Sequence, residues 1–305
     1  ALKTENEKYE AELLRRRKRS VEGSLRCTIR QGDATELMQA MDAAQFDLIL
    51  SDPPYGLDAG SAGYRARTVH HHNYNDSPDN ARRILQSILT DGWQLTKPKA
   101  NLFLFTDIMH FEWLQAAAAR MGWTPWRHPI IWQKSTAEGL VPWGRNGFVH
   151  TFDIIFYATK GRRGTNQTNV DILNYSRVAR NERVYAAEKP IPLLSRLIEL
   201  TTLPGDSVFD PCAGSGSTLL AAKELKRHSF GIEIDPQVCD LATVRIEKGD
   251  SHVDWSILDG AEPAADAAGS STVPDTSQLP LPFIPDSEAG EASGEYSPLG
   301  EAEHS

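Results

Sequence analysis

Residues 46 to 55 read Phe-Asp-Leu-Ile-Leu-Ser-Asp-Pro-Pro-Tyr. The apolar run Phe46 to Leu50, interrupted only by Asp47, predicts a buried strand. It stops at Asp52-Pro53-Pro54-Tyr55, because each proline lacks an N–H and has φ fixed, so the pair cannot continue a sheet ladder. A carboxylate, a stiff backbone and an aromatic ring are thereby presented at the carboxyl end of a strand. In open α/β sheets that edge is where ligands bind. A plain Pro-Pro turn is the competing reading, and the rest of the chain decides between the two.

Far downstream, Ser207 to Phe209 predicts a short strand, followed by Asp210-Pro211-Cys212-Ala213-Gly214-Ser215-Gly216-Ser217-Thr218 and a helix through Leu225. The next strand, Ser229 to Ile234, carries Glu233, which lies 19 residues after Gly214. Strand, glycine turn, helix, strand and acid form a nucleotide-type cofactor pattern. Gly214 and Gly216 admit close backbone approach, and a carboxylate at the next strand end can accept from ribose hydroxyls. A dinucleotide fingerprint requires a third glycine where Leu219 stands, and a P-loop requires a lysine that Gly216-Ser217-Thr218 lacks. An adenosine cofactor with no pyrophosphate remains, and S-adenosylmethionine fits.

With its Asp-Pro-Pro-Tyr ahead of Phe-Asp-Pro-Cys-Ala-Gly-Ser-Gly-Ser-Thr and Gly-Ile-Glu-Ile-Asp, the chain resembles the DNA amino-methyltransferases of adenine N6 and cytosine N4. The catalytic motif precedes the cofactor motif, as in the permuted β group, and the resemblance covers roughly residues 25 to 248. Gly32-Asp33-Ala34, Ile131-Trp132-Gln133-Lys134 and Phe156 to Gly161 match weaker blocks. Protein glutamine methyltransferases carry Asn-Pro-Pro-Tyr after their glycine motif, the reverse order. Cytosine C5 enzymes use a Pro-Cys nucleophile, but Cys212 lies inside the glycine loop and reads as a small loop residue.

The resemblance implies an α/β, Rossmann-like methyltransferase fold: a mostly parallel, seven-stranded sheet with helices on both faces. It implies that the Asp52 carboxylate and the Pro53 carbonyl accept the hydrogens of an exocyclic amine, that Pro54 stiffens the edge, and that Tyr55 stacks on the base. Gly214, Gly216 and Thr218 would approach the methionine part of S-adenosylmethionine, within a loop completed by Asp210, Pro211, Ala213, Ser215 and Ser217. Glu233 would take the ribose, Asp33 the adenine amino group, and Lys189 the carboxylate end. The implied partner is DNA with a base flipped out. Asp52 in the first position favours adenine N6 over cytosine N4. RNA as substrate, and a catalytically silent nucleic-acid-binding protein, are the alternatives. Homodimers and a restriction–modification setting accompany the resemblance, and the chemistry requires no metal.

The remaining sequence places these motifs. Ser24 to Ile29 predicts a strand and Glu36 to Met41 a helix; Pro78 to Thr96 predicts a helix capped by Ser77, Asn101 to Phe105 a strand, and Asp107 to Met121 a helix closed by Gly122. Pro129 to Gln133 and Phe152 to Ala158 predict strands, Pro190 to Thr202 a helix, and Asp235-Pro236 the start of a last helix. Residues 56 to 77, with His70-His71-His72, read as a mobile loop over the Asp-Pro-Pro-Tyr edge rather than a metal site, since adjacent residues seldom converge on one ion. Lys160 to Ala187 is a polar segment of 28 residues, small for a target-recognition region. Arg162, Arg163, Arg177 and Arg180 are its candidate DNA contacts, although a solvated linker would have the same composition.

Of 305 residues, 40% are apolar and 24% charged, which suits a globular core. The net charge of −9 is uneven: residues 250 to 305 hold 12 acids and no Lys or Arg, leaving 29 acids against 32 bases in residues 1 to 249. The body is therefore mildly basic, which permits nucleic-acid binding. Residues 1 to 22 read as a basic helical arm, 23 to 249 as the methyltransferase domain, and 250 to 305 as an acidic disordered tail with a short docking motif at Leu279 to Pro285. Three scattered cysteines, Cys27, Cys212 and Cys239, argue against a disulfide framework and for a reducing cytoplasm, bacterial or phage-infected. No apolar run reaches the roughly 18 residues of a membrane span.

Overall fold

The computed structural model describes residues 25–56, 75–134, 150–161, 164–179 and 188–248. The chain divides into two units, Ala1–Glu262 and Pro263–Ser305, and all described residues belong to the first. The expected basic arm, the tail and most of the loop at 56 to 77, including the three histidines, lie outside the described residues.

Nine strands form one sheet among the described residues: β1 (Cys27–Gln31), β2 (Phe46–Ser51), β3 (Thr96–Thr106), β4 (Thr124–Pro125), β5 (Ile130–Lys134), β6 (Phe152–Lys160), β7 (Ile172–Tyr175), β8 (Ser207–Asp210) and β9 (His228–Glu233). The spatial order is β1-β9-β8-β2-β3-β6-β5-β7, with β4 on β6. From β1 to β3 every pairing is parallel; β6 is antiparallel to β3, β4 and β5, and β5 is parallel to β7.

The sheet thus has nine strands where seven were expected. Two of its strands carry little sequence signal. The two-residue β4 contains Pro125 and is too short for any periodicity. The four-residue β7 sits in the polar stretch after Lys160, and it is held by buried Leu173 and by Trp132 Nε1, which donates to the Tyr175 carbonyl at 2.8 Å.

Alternation explains the apolar runs. In β2, Ile49 faces one cluster with Leu85, Ile88, Leu102 and Leu104, whereas Leu48 and Leu50 face another with Phe103, Phe105, Leu194 and Leu197. Both faces of β2 are buried, so it reads as a continuous apolar run rather than an alternating one. Helices α1 (Ala34–Gln39), α2 (Pro78–Leu95) and α3 (Ile108–Met121) supply the first face; α4 (Ile191–Thr201) and α5 (Ser217–Glu224) supply the second. The last helix, α6 (Pro236–Lys248), packs near β1 and the glycine turn through Ile246.

The helix boundaries follow from their caps. Ser77 Oγ accepts from Asn80 N at 3.3 Å, Asp107 accepts from Met109 N at 2.9 Å, and Asp235 accepts from Gln237 N at 2.9 Å. Gly122 closes α3 with φ of 100°, a left-handed conformation that glycine adopts without Cβ strain.

Candidate active site

Four adjacent parallel strands end at one sheet edge, and each delivers a carboxylate there. In spatial order these are Asp33 after β1, Glu233 ending β9, Asp210 ending β8 and Asp52 after β2. They line a cavity of about 550 Å³ together with Pro53, Pro54, Tyr55, Lys189, Pro211, Ala213, Gly214, Ser215, Ser217 and Thr218. The two motifs, 158 residues apart from Asp52 to Asp210, therefore share one cavity. Gly216 does not line it. Gly216 instead opens α5 in a left-handed conformation, with φ of 80°, where an added Cβ would lie 3.1 Å from that of Ala242. Its lack of a side chain serves helix packing.

Each carboxylate has its own environment. Asp52 is partly exposed; its Oδ1 accepts from Tyr55 Oη at 2.9 Å and its Oδ2 from Lys189 Nζ. The Lys189 ammonium also lies 5.7 Å from the Tyr55 ring centroid and 5.1 Å from that of Phe105. Burial, then the charge of Asp52, pushes the Tyr55 phenol well above its ordinary range, so it stays a protonated donor. His110 on α3 approaches the Tyr55 carbonyl at 2.8 Å; a carbonyl only accepts, so Nε2 is the donor. Gly56 N donates to Asp76 at 2.8 Å, tying the end of the motif to the entry of α2.

Asp210 is 2% exposed. Its Oδ1 accepts from Ser51 Oγ at 2.7 Å and from Cys212 N at 3.1 Å, which joins the end of β2 to the start of the glycine turn. Burial pushes its carboxyl up to about 6. Between the ordinary value of 3.8 and about 6, the folded chain retains a proton that the unfolded chain has released, so stability falls as pH rises through that window. Asp210→Asn removes this titration. Its melting temperature relative to the unsubstituted protein is expected to climb from about pH 4 to pH 6 and then level off. Thermal unfolding across that range checks it, and a constant difference would contradict it.

Glu233 accepts from Gly214 N at 2.8 Å and from Asp235 N at 2.9 Å, and burial raises its pKa. Behind it, a Cβ added to Gly231 would come within 2.9 Å of Ala213 Cβ and of Leu219, so β9 touches the glycine turn directly. The Cys212 thiol is pushed well up by burial and by the charges of Asp210 and Glu233, which opposes a nucleophilic thiolate there. Burial pushes Asp33 up, but hydrogen bonds from Thr35 and Arg83 outweigh it and hold the carboxyl below its usual range. Asp33 Oδ1 caps α1 and Oδ2 accepts from Arg83 at 3.0 Å.

Two residues of this site were absent from the sequence reading. Arg245 is fully buried on α6; its Nη1 donates to Ser215 O at 2.9 Å and Ser215 Oγ at 2.7 Å, and its Nη2 to Glu188 at 2.7 Å. Its signal is positional: it follows Val238, Leu241 and Ala242 at helical spacing, on the apolar stripe. Glu188 is its 4% exposed partner. Lys189, expected at the carboxylate end of a cofactor, sits on Asp52. Of the four arginine candidates only Arg177 is described, half-buried beyond β7; Arg162, Arg163 and Arg180 lie outside the described residues.

Among the described residues there is no cluster of three or more His, Cys, Asp or Glu side chains placed to hold a metal, and no helix long and apolar enough to cross a membrane.

A DNA methylase family model matches residues 46–244. The Escherichia coli (strain K12) protein YubD is 27% identical over 239 residues, 76% of this chain and 98% of that one. The type II methyltransferase M.HindIII of Haemophilus influenzae is 33% identical over 144 residues, 41% of this chain and 44% of its own length. Two solved structures share the fold. M1.HpyAVI in complex with SAM has a TM-score of 0.55 at 22% identity, covering 72% of this chain and 98% of that one. The cytosine-N4-specific PvuII DNA methyltransferase has a TM-score of 0.57 at 15% identity, covering 75% and 89%. The family match spans both motifs and the strands that carry them: this chain belongs to the N6/N4 DNA methylase family.

Proposed function

We propose that this chain transfers a methyl group from S-adenosylmethionine to the exocyclic N6 of adenine in DNA. One observation carries the reading: Asp52 and the glycine turn end neighbouring strands and open into the same cavity. The cavity suits the cofactor chemically. It offers buried Glu233 for a ribose diol, the close backbone of Gly214, and a cation, Lys189, for a carboxylate. Its volume falls within the roughly 300–1,000 Å³ of small-molecule sites.

The cofactor supplies an electrophilic methyl on a sulfonium. The chain's residues supply position and charge. An exocyclic amine delocalises its lone pair into the ring and attacks poorly. Asp52 Oδ2 and the Pro53 carbonyl accept its hydrogens, which localises the lone pair and stabilises the positive charge that develops on nitrogen. Tyr55 donates to Asp52 Oδ1 and so orients the carboxylate, while its ring stacks on the flipped base. The two prolines fix the spacing of these groups. No covalent intermediate with the chain is required: as the N–C bond forms and the S–C bond breaks, the sulfonium would leave as a neutral thioether and the methylated nitrogen would release one proton. The 56 to 77 loop, the 160 to 187 segment and its arginines complete the reading as DNA contacts.

Asp in the first motif position supports adenine over cytosine. Mass spectrometry of nucleosides from DNA and RNA treated with the full chain and the cofactor tests it. N6-methyladenine in DNA is the expected product; N4-methylcytosine alone, or methylation confined to RNA, would overturn the choice.

A further inference from the structure

Lys189 occupies the acceptor that the reaction requires. Of the two Asp52 oxygens, Oδ1 is engaged by Tyr55 and Oδ2 by the Lys189 ammonium. An incoming amine needs Oδ2, and the nitrogen becomes positive as it is methylated. An ammonium fixed on that oxygen offsets its negative charge and repels the positive charge that develops on the nitrogen. Methyl transfer is therefore favoured once Lys189 leaves Asp52.

Its alternatives are restricted. Glu188, next in the chain, is held by Arg245 at 2.7 Å. Asp210 is bound to Ser51 and Cys212, Glu233 to Gly214 and Asp235, and Asp33 to Thr35 and Arg83. Asp76 accepts from Gly56. Among the described residues, each other carboxylate lining the cavity already serves a local donor. Arg83, the second cation of the lining, is committed to Asp33. The anion that the cofactor would add is the carboxylate of its methionine moiety, and among the described residues of the lining Lys189 is the cation placed to meet it. Lys189 is also anchored at its back: Glu188 is clamped through Arg245 to Ser215 of the glycine turn. The backbone can thus stay in place while the side chain swings.

We propose that Lys189 is a latch. Paired with Asp52, as here, it withholds that carboxylate; on meeting the methionine carboxylate of the cofactor it exchanges partners, and Asp52 becomes available to the target amine. Cofactor binding then precedes productive base insertion. This rests on the reading of the cavity as a methyltransferase site. The latch makes Asp52 and the cofactor carboxylate competitors for one ammonium, although they need never touch.

Calorimetric titration with S-adenosylhomocysteine, which carries the carboxylate, and with methylthioadenosine, which lacks it, tests the exchange. Lys189→Met is expected to weaken S-adenosylhomocysteine by at least about tenfold and to leave methylthioadenosine unchanged, which also reports that the variant is folded. Asp52→Asn removes the competitor and is expected to tighten S-adenosylhomocysteine by about fivefold or more, again without effect on methylthioadenosine. In the double variant the gain from Asp52→Asn should vanish. A gain that persists in the double variant means direct repulsion between Asp52 and the ligand and overturns the latch. So does an Asp52→Asn variant with no gain, or a Lys189→Met variant with full affinity. If neither ligand binds the unsubstituted protein, the methyltransferase reading itself fails and the latch falls with it.

Discussion

Asp52→Ala is expected to lose methyl transfer to DNA by about 10²–10³-fold or more while still binding S-adenosylmethionine. Asp52 is partly exposed and lies just past the buried strand β2, so its removal leaves the apolar packing of the sheet intact. The link between the strands survives, because Ser51 Oγ still donates to Asp210 and Cys212 N still meets both. Glu233 and Gly214, which we propose meet the cofactor, hydrogen-bond to each other and not to Asp52. What disappears, on the proposed mechanism, is the acceptor that localises the amine lone pair, together with the anchor of Tyr55 Oη. The loss should therefore fall on turnover, not on cofactor affinity. Transfer of labelled methyl to DNA, measured beside cofactor titration of the same variant, separates the two. Full activity would refute the role of Asp52, and loss of cofactor binding would assign it to the wrong half of the site.

Arg245→Ala is expected to be the most destabilising single change in the site. Its side chain is 0% and that of Glu188 4% exposed, so the pair is desolvated on both sides. Truncating Arg245 removes the charge opposite the buried Glu188 carboxylate, which keeps the Ser217 hydroxyl, and orphans the Arg245 contacts to Ser215, at a cost of about 3–5 kcal/mol. For a domain of this size that corresponds to a fall in melting temperature of roughly 6–20 °C. Arg245 also ties α6 to Ser215 and Ser217, so the glycine turn loosens and cofactor affinity should drop as well. Glu188→Gln keeps one acceptor for Nη2 and should be the milder change. Thermal unfolding with and without S-adenosylmethionine measures both effects; a shift within a couple of degrees would show that the pair carries no net stability.

Much of this site is legible in the sequence because its parts are local. The Phe46 to Tyr55 run announces a strand buried on both faces and then halted. Far downstream, the glycine turn between β8 and α5 and the acid ending β9 lie close together, with Gly214 and Glu233 19 residues apart. The caps at Ser77, Asp107 and Asp235 are read from single residues next to apolar periodicity. What escapes the sequence is what distant segments do to one another. Glu188 and Arg245 are 57 residues apart, and Lys189 reaches Asp52 across 137. Asp33 illustrates the same limit. The motif places it at a strand end, but only the fold brings Arg83, 50 residues on, against its Oδ2. β7 is invisible for a related reason: its four residues are strand-like only because β5 lies alongside.

The ends of β2 and β8 open into a single cavity, and we propose that this site acts on an exocyclic amine of DNA. Modification-detecting sequencing of DNA from cells expressing the full chain, compared with cells expressing Asp52→Ala, tests it most directly. N6-methyladenine at a short defined sequence is expected with the unsubstituted chain, and none with the variant. Unmodified amines in both, or the same methylation in both, would contradict it.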